Sequence, residues 1–155
     1  MNDLRTLTLL LGETERRRDA ALAEHQRAIA AAESAAAQAQ ELLTYRREYE
    51  QRWGAQFSRQ GQIELVRCYQ SFMERMTQAV DQQVRVVERA RQQVGQAQAA
   101  LVEVELRCAS VRKIIERRTR EHALAEDRRE QKHSDELAAR ASWNRRESTD
   151  LSQPN

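Results

Sequence analysis

Apolar residues recur every seven positions through most of the second half of this chain. One series begins at Val66, a second begins three residues later at Tyr69, and together they complete seven uninterrupted heptads. A 3,4 spacing held this long keeps one apolar stripe against a partner only if helices supercoil around each other. We therefore predict a long coiled-coil helix whose stripe consists of Val66, Tyr69, Met73, Met76, Val80, Gln83, Val87, Ala90, Val94, Ala97, Leu101, Val104, Cys108, Val111 and Ile115, with Gln83 as its one polar member.

The composition favours helix over strand for the rest of the chain. The 155 residues include only four Gly and one Pro, and Pro154 lies next to the C-terminus. Charged residues make up 32% of the chain, with both signs interspersed. This is the composition of a long helix or a coiled coil, and strands and tight turns lack the residues they need. We predict an all-α fold.

A second, Ala-rich periodicity occupies the first third of the chain and predicts a plainer helix. Its small residues would let the other helix approach closely. We predict that its apolar seam consists of Leu22, His25, Ile29, Ala32, Ala36, Ala39 and Leu43, extended toward the N-terminus by Leu4, Leu7 and Leu11.

Gly54 and Gly61 bracket a segment that neither periodicity includes, and Gly tolerates the backbone geometry that ends a helix. We predict a long antiparallel two-helix coiled-coil hairpin, with helix one at about 3–53, a loop at 54–61 and helix two at 62–142. The longer second helix overhangs, and residues 143–155 form a disordered tail. The chain supplies its own coiled-coil partner, so we expect a monomer. A fold about positions 57 and 58 places Leu43 near Met73 and Tyr45 opposite Gln70.

The sequence contains no signature of catalysis, a cofactor or a metal. Phosphate loops, nucleophile motifs and His or Cys pairs at ligand spacing are all missing. We expect neither enzyme activity nor a cofactor nor a metal. Because 26 basic residues nearly balance 24 acidic ones, we expect no nucleic-acid partner. The sequence offers no apolar run long enough for a membrane span and no basic leader region, which predicts a cytoplasmic protein.

Six of the seven aromatic residues fall between positions 45 and 72. Two stripes with 4,3,4 spacing pass through this region, one on each helix. We expect Leu42, Tyr45 and Tyr49 to project beside the seam as a partly exposed docking face for a partner protein. The alternative is that the rings simply fill a wider end of the hairpin near its loop. The two stripes are Gln38, Leu42, Tyr45 and Tyr49, then Phe72, Met76, Ala79 and Gln83.

Three segments, in this order, carry a resemblance to a known family: "LLTYRREYEQRW", "CYQSFMERMTQAVDQQ" and "LAEDRREQKHSDELAARA". Together they resemble the FliJ family of the bacterial flagellar type III export apparatus. The resemblance implies a stalk-like coiled coil that associates with the hexameric export ATPase, contacts the cytoplasmic domain of the export gate protein and binds export chaperones. It also implies a peripheral location on the cytoplasmic side of the inner membrane.

The resemblance assigns roles to residues as well. Its gate-binding positions fall on the same two stripes, although Met76 and Gln83 stand where some relatives carry Leu and His. For contacts with the ATPase ring we expect the other end of the hairpin, where the candidates are Leu4, Leu7, Leu11, Arg112, Arg117, Arg118, Glu126, Arg128 and Glu130. Three alternatives stay open: a stalk of a virulence injectisome, a coiled-coil spacer without a dedicated partner, and a nucleic-acid binder that uses its Arg-rich faces.

Overall fold

A computed structural model of the protein describes residues 2–57 and 62–152. The described chain is two helices, α1 at Asn2–Phe57 with 56 residues and α2 at Ile63–Asp150 with 88 residues. The helices pack against each other as an antiparallel hairpin in which the second helix is the longer. The predicted fold class is confirmed.

Both helices run further than the sequence predicted. Gly54 does not end α1, since it lies inside the helix without a positive φ and α1 continues to Phe57. Part of the predicted loop, 58–61, falls outside the described residues. At the other end, α2 does not stop near position 142, because it continues through Trp143 to Asp150. The tail expected to be disordered from 143 onward is therefore helical over most of its length.

The chain divides into two compact units, each built from parts of both helices. One, here called the hairpin unit, is Thr14–Arg107, and the other, the terminal unit, combines Met1–Glu13 with Cys108–Asn155. The hairpin unit contains the helix ends that flank the connection. The terminal unit contains the start of α1 and the C-terminal part of α2.

The apolar stripe predicted for α2 is confirmed, since every one of its members is buried or half-buried. In the hairpin unit its buried members are Met76, Val80, Val87, Ala97 and Leu101. In the terminal unit they are Cys108, which is 1% exposed, and Val111. The heptad spacing on α2 thus identifies its packing surface correctly.

The seam predicted for α1 is wrong by one position in one of its two series. Ala28 and Ala35 are buried, whereas in the predicted series Ile29 and Ala36 are only half-buried and Leu22 and Leu43 are 41% and 38% exposed. The predicted series His25, Ala32 and Ala39 is half-buried and does belong to the seam. Alanine takes the packing positions because its small side chain leaves room for the Val and Met side chains of α2. The observed seam of α1 in the hairpin unit is Thr14, Arg18, Ala21, His25, Ala28, Ala32, Ala35, Ala39, Leu42, Arg46, Tyr49 and Trp53.

The register between the helices differs from the predicted one as well. In the hairpin unit, the ring of Tyr49 contacts Phe72 and the side chain of Gln38 accepts a hydrogen bond from Gln83. The residue numbers of both pairs add to 121, which sets Tyr45 level with Met76 and not with Gln70. The cause is the longer α1, because each residue added to the end of α1 moves the facing pairs further along α2.

Candidate functional site: a docking face on the hairpin unit

The two stripes identified in the sequence form a single face of the hairpin unit. In the observed register, each residue of one stripe faces one residue of the other. Gln38 lies beside Gln83 at one end, and Tyr49 lies beside Phe72 at the other. The same register sets Leu42 level with Ala79 and Tyr45 level with Met76. We call these four facing pairs the docking face: Gln38, Leu42, Tyr45, Tyr49, Phe72, Met76, Ala79 and Gln83.

The members of the docking face differ in how far they reach solvent. Gln38 and Tyr45 are exposed, and Tyr45 retains 49% of its accessible surface. Met76 is 8% exposed, so it supports the face from within the core and offers little surface to a partner. Five members are half-buried: Leu42, Tyr49, Phe72, Ala79 and Gln83.

Of the three residues expected to project beside the seam into partial exposure, Leu42 and Tyr49 are partly exposed but lie on the seam itself. Tyr45 alone of those three residues is exposed. In α1 the seam advances from Leu42 to Arg46 and Tyr49, and Tyr45 lies on one flank of that line. Leu43, which is 38% exposed, lies on the opposite flank.

The six clustered rings form one continuous set of contacts. Tyr49 is its centre, with ring centroids 4.4 Å from Phe72, 5.6 Å from Tyr45 and 6.1 Å from Trp53. These separations are in the favourable range for aromatic pairs. The docking face therefore rests on a packed aromatic layer.

Trp53 is a packing residue within this layer. Its ring centroid lies 5.5 Å from that of Phe57 and 6.0 Å from that of Tyr69, and Phe57 meets Tyr69 edge-on at 5.2 Å. The alternative interpretation of the aromatic cluster, that the rings fill the end of the hairpin near its connection, is thus correct for these residues. Tyr45 combines a ring contact with substantial exposure.

An open groove of about 430 Å³ lies on the docking face. Leu42 and Tyr45 supply its apolar surface, and Gln38, Gln83 and Glu41 supply polar groups. Glu41 is not a member of the predicted stripes, although its position three residues after Gln38 and four before Tyr45 places it on the same side of α1. A partner side chain entering this groove would meet an apolar wall, two amides and a carboxylate.

The residues expected to contact an ATPase ring lie in the terminal unit. Leu4, Leu7 and Leu11 are half-buried along α1, and Arg118 of α2 forms an ion pair with Asp3 at 2.8 Å. Arg117 lines an open groove of about 610 Å³ together with Lys113, Ile114, Glu116, Arg120, Glu121 and Leu124. The remaining candidates are all exposed on α2: Arg112, Glu126, Arg128 and Glu130.

The part of α2 beyond Arg118 is exposed along its whole described length. Every residue from Thr119 to Ser152 is exposed. At 1.5 Å per residue, the 32 residues from 119 to 150 form a helical segment of roughly 48 Å. The sequence sets residues of opposite charge four positions apart here, as in Glu136 and Arg140, a spacing that favours a solvated helix.

The described residues offer no cluster suited to metal chemistry. Among residues 2–57 and 62–152, no three His, Cys, Asp or Glu side chains group closely enough to hold a metal ion. Both cysteines are free; Cys68 is exposed and Cys108 is buried. Within 2–57 and 63–150, neither helix has a segment long and apolar enough to cross a membrane.

Comparison with known proteins identifies one family. The family described as "Flagellar FliJ protein" matches residues 3–147, which is nearly the whole chain. Searches of curated proteins and of solved structures returned no match.

Proposed function

Because the chain belongs to the flagellar FliJ protein family, a family of flagellar protein export components, we propose that it is a stalk-like protein whose docking face binds the cytoplasmic domain of the export gate. The observation that carries this proposal is that the two sequence stripes lie side by side as four facing pairs on one face. Its exposed Tyr45 and its groove give a partner both apolar area and hydrogen-bonding groups.

The energetic centre of the face is Tyr45. A tyrosine supplies a large, stiff contact surface at little entropic cost, and its hydroxyl bonds at the edge of an apolar contact. Tyr49 acts mainly by supporting that ring, and Phe72 packs in turn against Tyr49, while Met76 is buried beneath the face. Residues of this kind hold a contact surface rigid, so the partner binds without having to order it.

Tyr45→Ala and Leu43→Ala form a matched pair for testing this site. Both residues are exposed side chains of α1 two positions apart, and they lie on opposite flanks of the seam. With a purified gate domain, we expect Tyr45→Ala to weaken binding by about tenfold or more, as for an aromatic interface anchor. Leu43→Ala should leave the affinity within twofold. Equal affinities for the two variants would reject the docking face.

For the terminal unit we propose contacts with the hexameric export ATPase. The support is the mixture of charges around the groove that Arg117 lines and the fully exposed helix that follows it. The proposed contacts on α2 are charged and therefore adjustable, as expected for a shaft within a ring, and three half-buried leucines of α1 complete the set. They comprise Leu4, Leu7, Leu11, Arg112, Arg117, Arg118, Glu126, Arg128 and Glu130.

Charge reversal at Arg117 tests this second contact. Arg117→Glu should reduce co-purification with the ATPase, and the reduction should shrink as salt is raised, because screening weakens exposed charge pairs. Arg140→Glu is the control, since it makes the same charge change on the same exposed helix outside the proposed set. A loss with Arg140→Glu as large as with Arg117→Glu would contradict a localised ring contact.

Two further parts of the proposal follow from the family. We propose that the protein binds export chaperones, and that it lies on the cytoplasmic side of the inner membrane by way of the export apparatus. The flagellar family match favours this role over that of an injectisome stalk. A coiled-coil spacer would bind neither the gate domain nor the ATPase, so both binding experiments distinguish it.

A further inference from the structure

Gln83 is the one polar side chain in the apolar stripe of α2, and both of its amide hydrogens are used. Its Nε2 donates to the backbone oxygen of Ala35 at 3.0 Å and to Oε1 of Gln38 at 3.2 Å. A primary amide nitrogen carries two hydrogens, so these bonds exhaust its donors. Gln83 therefore ties the edge of the docking face to the backbone of α1.

The backbone oxygen of Ala35 fixes the orientation of both amides. A carbonyl oxygen can only accept, so the nitrogen end of Gln83 has to face Ala35. The second hydrogen of that nitrogen then requires the oxygen of Gln38 and not its NH₂ group. The chain of two hydrogen bonds thus decides which end of the exposed Gln38 side chain is available to a partner.

The NH₂ group of Gln38 is left free by this arrangement. Gln38 is exposed and lines the groove on the docking face, and its nitrogen makes no hydrogen bond to another residue within the described chain. We propose that Gln83 is a positioning residue that holds this NH₂ group toward the gate domain, where it meets an acceptor oxygen of a backbone carbonyl or a carboxylate. This inference rests on the function proposed above.

The same bonds select the register in which the face exists. The seam of α1 is uniform here, with alanine at 28, 32, 35 and 39, so apolar contacts alone distinguish poorly between positions one heptad apart. A slip of seven residues toward the N-terminus of α1 would set Gln83 against Ala28 and Ala31, which offer no side-chain acceptor. A polar side chain at a core position of a coiled coil specifies register in this way.

Gln38→Glu removes the N–H donors of this side chain and keeps an acceptor. The carboxylate still accepts from Gln83 but has no N–H for the partner. We expect the affinity for a purified gate domain to fall about three- to tenfold, the range for one lost hydrogen bond. Gln40→Glu is the control, because it adds the same charge two residues away at another exposed position. Unchanged affinity in Gln38→Glu, or an equal loss in Gln40→Glu, would overturn the proposal.

A double-mutant cycle tests whether Gln83 acts through Gln38. Gln83→Leu places an apolar side chain at this position of the stripe and removes both bonds. We expect Gln38→Ala, Gln83→Leu and the double variant to lose affinity by the same factor, since each removes the oriented NH₂ group. Losses that multiply in the double variant would show that Gln83 contacts the partner independently and would overturn the positioning role.

The free protein provides a readout that needs no gate domain. Because both hydrogens of the Gln83 amide are bonded, we expect them to exchange with water more slowly than those of Gln40, by ¹⁵N-resolved NMR. Gln38→Ala should accelerate that exchange, and equal exchange rates in the wild type would overturn the proposed bond. If the wild-type protein did not bind the gate domain, the proposed function would be wrong. The exchange measurement would still test the hydrogen bonds of Gln83, because it needs no gate domain.

Discussion

Tyr49 and Tyr45 are neighbouring rings of one face, but they differ in burial and in the number of rings that they contact. Tyr49 is half-buried and contacts three rings, whereas Tyr45 is 49% exposed and contacts one. Truncating a buried large ring to Ala costs about 3–5 kcal/mol, so half burial gives about 2 kcal/mol for Tyr49→Ala. For Tyr45→Ala the loss of one ring pair gives about 0.5–1 kcal/mol. Unfolding free energies should therefore differ by about 1 kcal/mol or more.

Urea unfolding followed by the fluorescence of Trp53 is the suitable assay. Trp53 lies 6.1 Å from Tyr49 in the aromatic layer, so its emission reports on unfolding of this part of the hairpin unit. Trp143 is 65% exposed and would add a second signal, so both variants are made in a Trp143→Phe background. Comparing midpoints at equal slope gives the difference in free energy.

The refuting result is an equal or reversed ranking. If Tyr45→Ala destabilised the protein as much as Tyr49→Ala, Tyr45 would be a core residue and the docking face would lose its exposed anchor. Tyr45→Ala should have a small effect on stability and a large effect on binding. It should weaken the contact with the gate domain while leaving the fold nearly intact.

Three further comparisons test the packing of the two helices. Leu42→Ala should cost more stability than Leu43→Ala, because Leu42 lies on the corrected seam and Leu43 is 38% exposed; an equal loss in thermal unfolding would contradict that seam. Gly95→Ala should stabilise α2 by about 0.5–1 kcal/mol, since a Cβ there meets nothing within 4 Å, and a lower melting temperature would count against the helix at this point. Leu101→Ala should cost about 2–3 kcal/mol and Leu106→Ala less than about 0.5 kcal/mol in urea, because they are 8% and 64% exposed; similar losses would refute the predicted stripe of α2.

The sequence was most informative where large apolar side chains repeat. On α2 only one 3,4 series collects the Val, Met and Leu residues, so the packing surface could be identified directly. On α1 two such series compete, one through Leu22 and Leu43 and one through the alanines, and hydrophobicity alone favours the wrong one. The spacing of Leu4, Leu7 and Leu11, continued along the helix, leads to the alanine series and to Leu42.

The helix ends and the register could not be read from single residues. A glycine inside a helix costs only about 1 kcal/mol, and the ring contacts of Trp53 and Phe57 on either side of Gly54 offset that cost. Because α1 is longer than predicted, the residues that face each other on the two helices differ from the predicted pairs. The membership of the two stripes was nevertheless recognised, because the 4,3,4 spacing depends on the periodicity of each helix and not on the register between them. Which members reach solvent depends on the seam, and that required the structure.

The flank of the hairpin unit that carries Tyr45 is the surface proposed to contact the export gate. Site-specific photo-crosslinking tests it most directly, with p-benzoylphenylalanine placed at Tyr45 or at Leu43 on the opposite flank and irradiated with the purified gate domain. We expect a cross-linked product from position 45 and none from position 43. A product from position 43 alone, or equal yields from both positions, would contradict it.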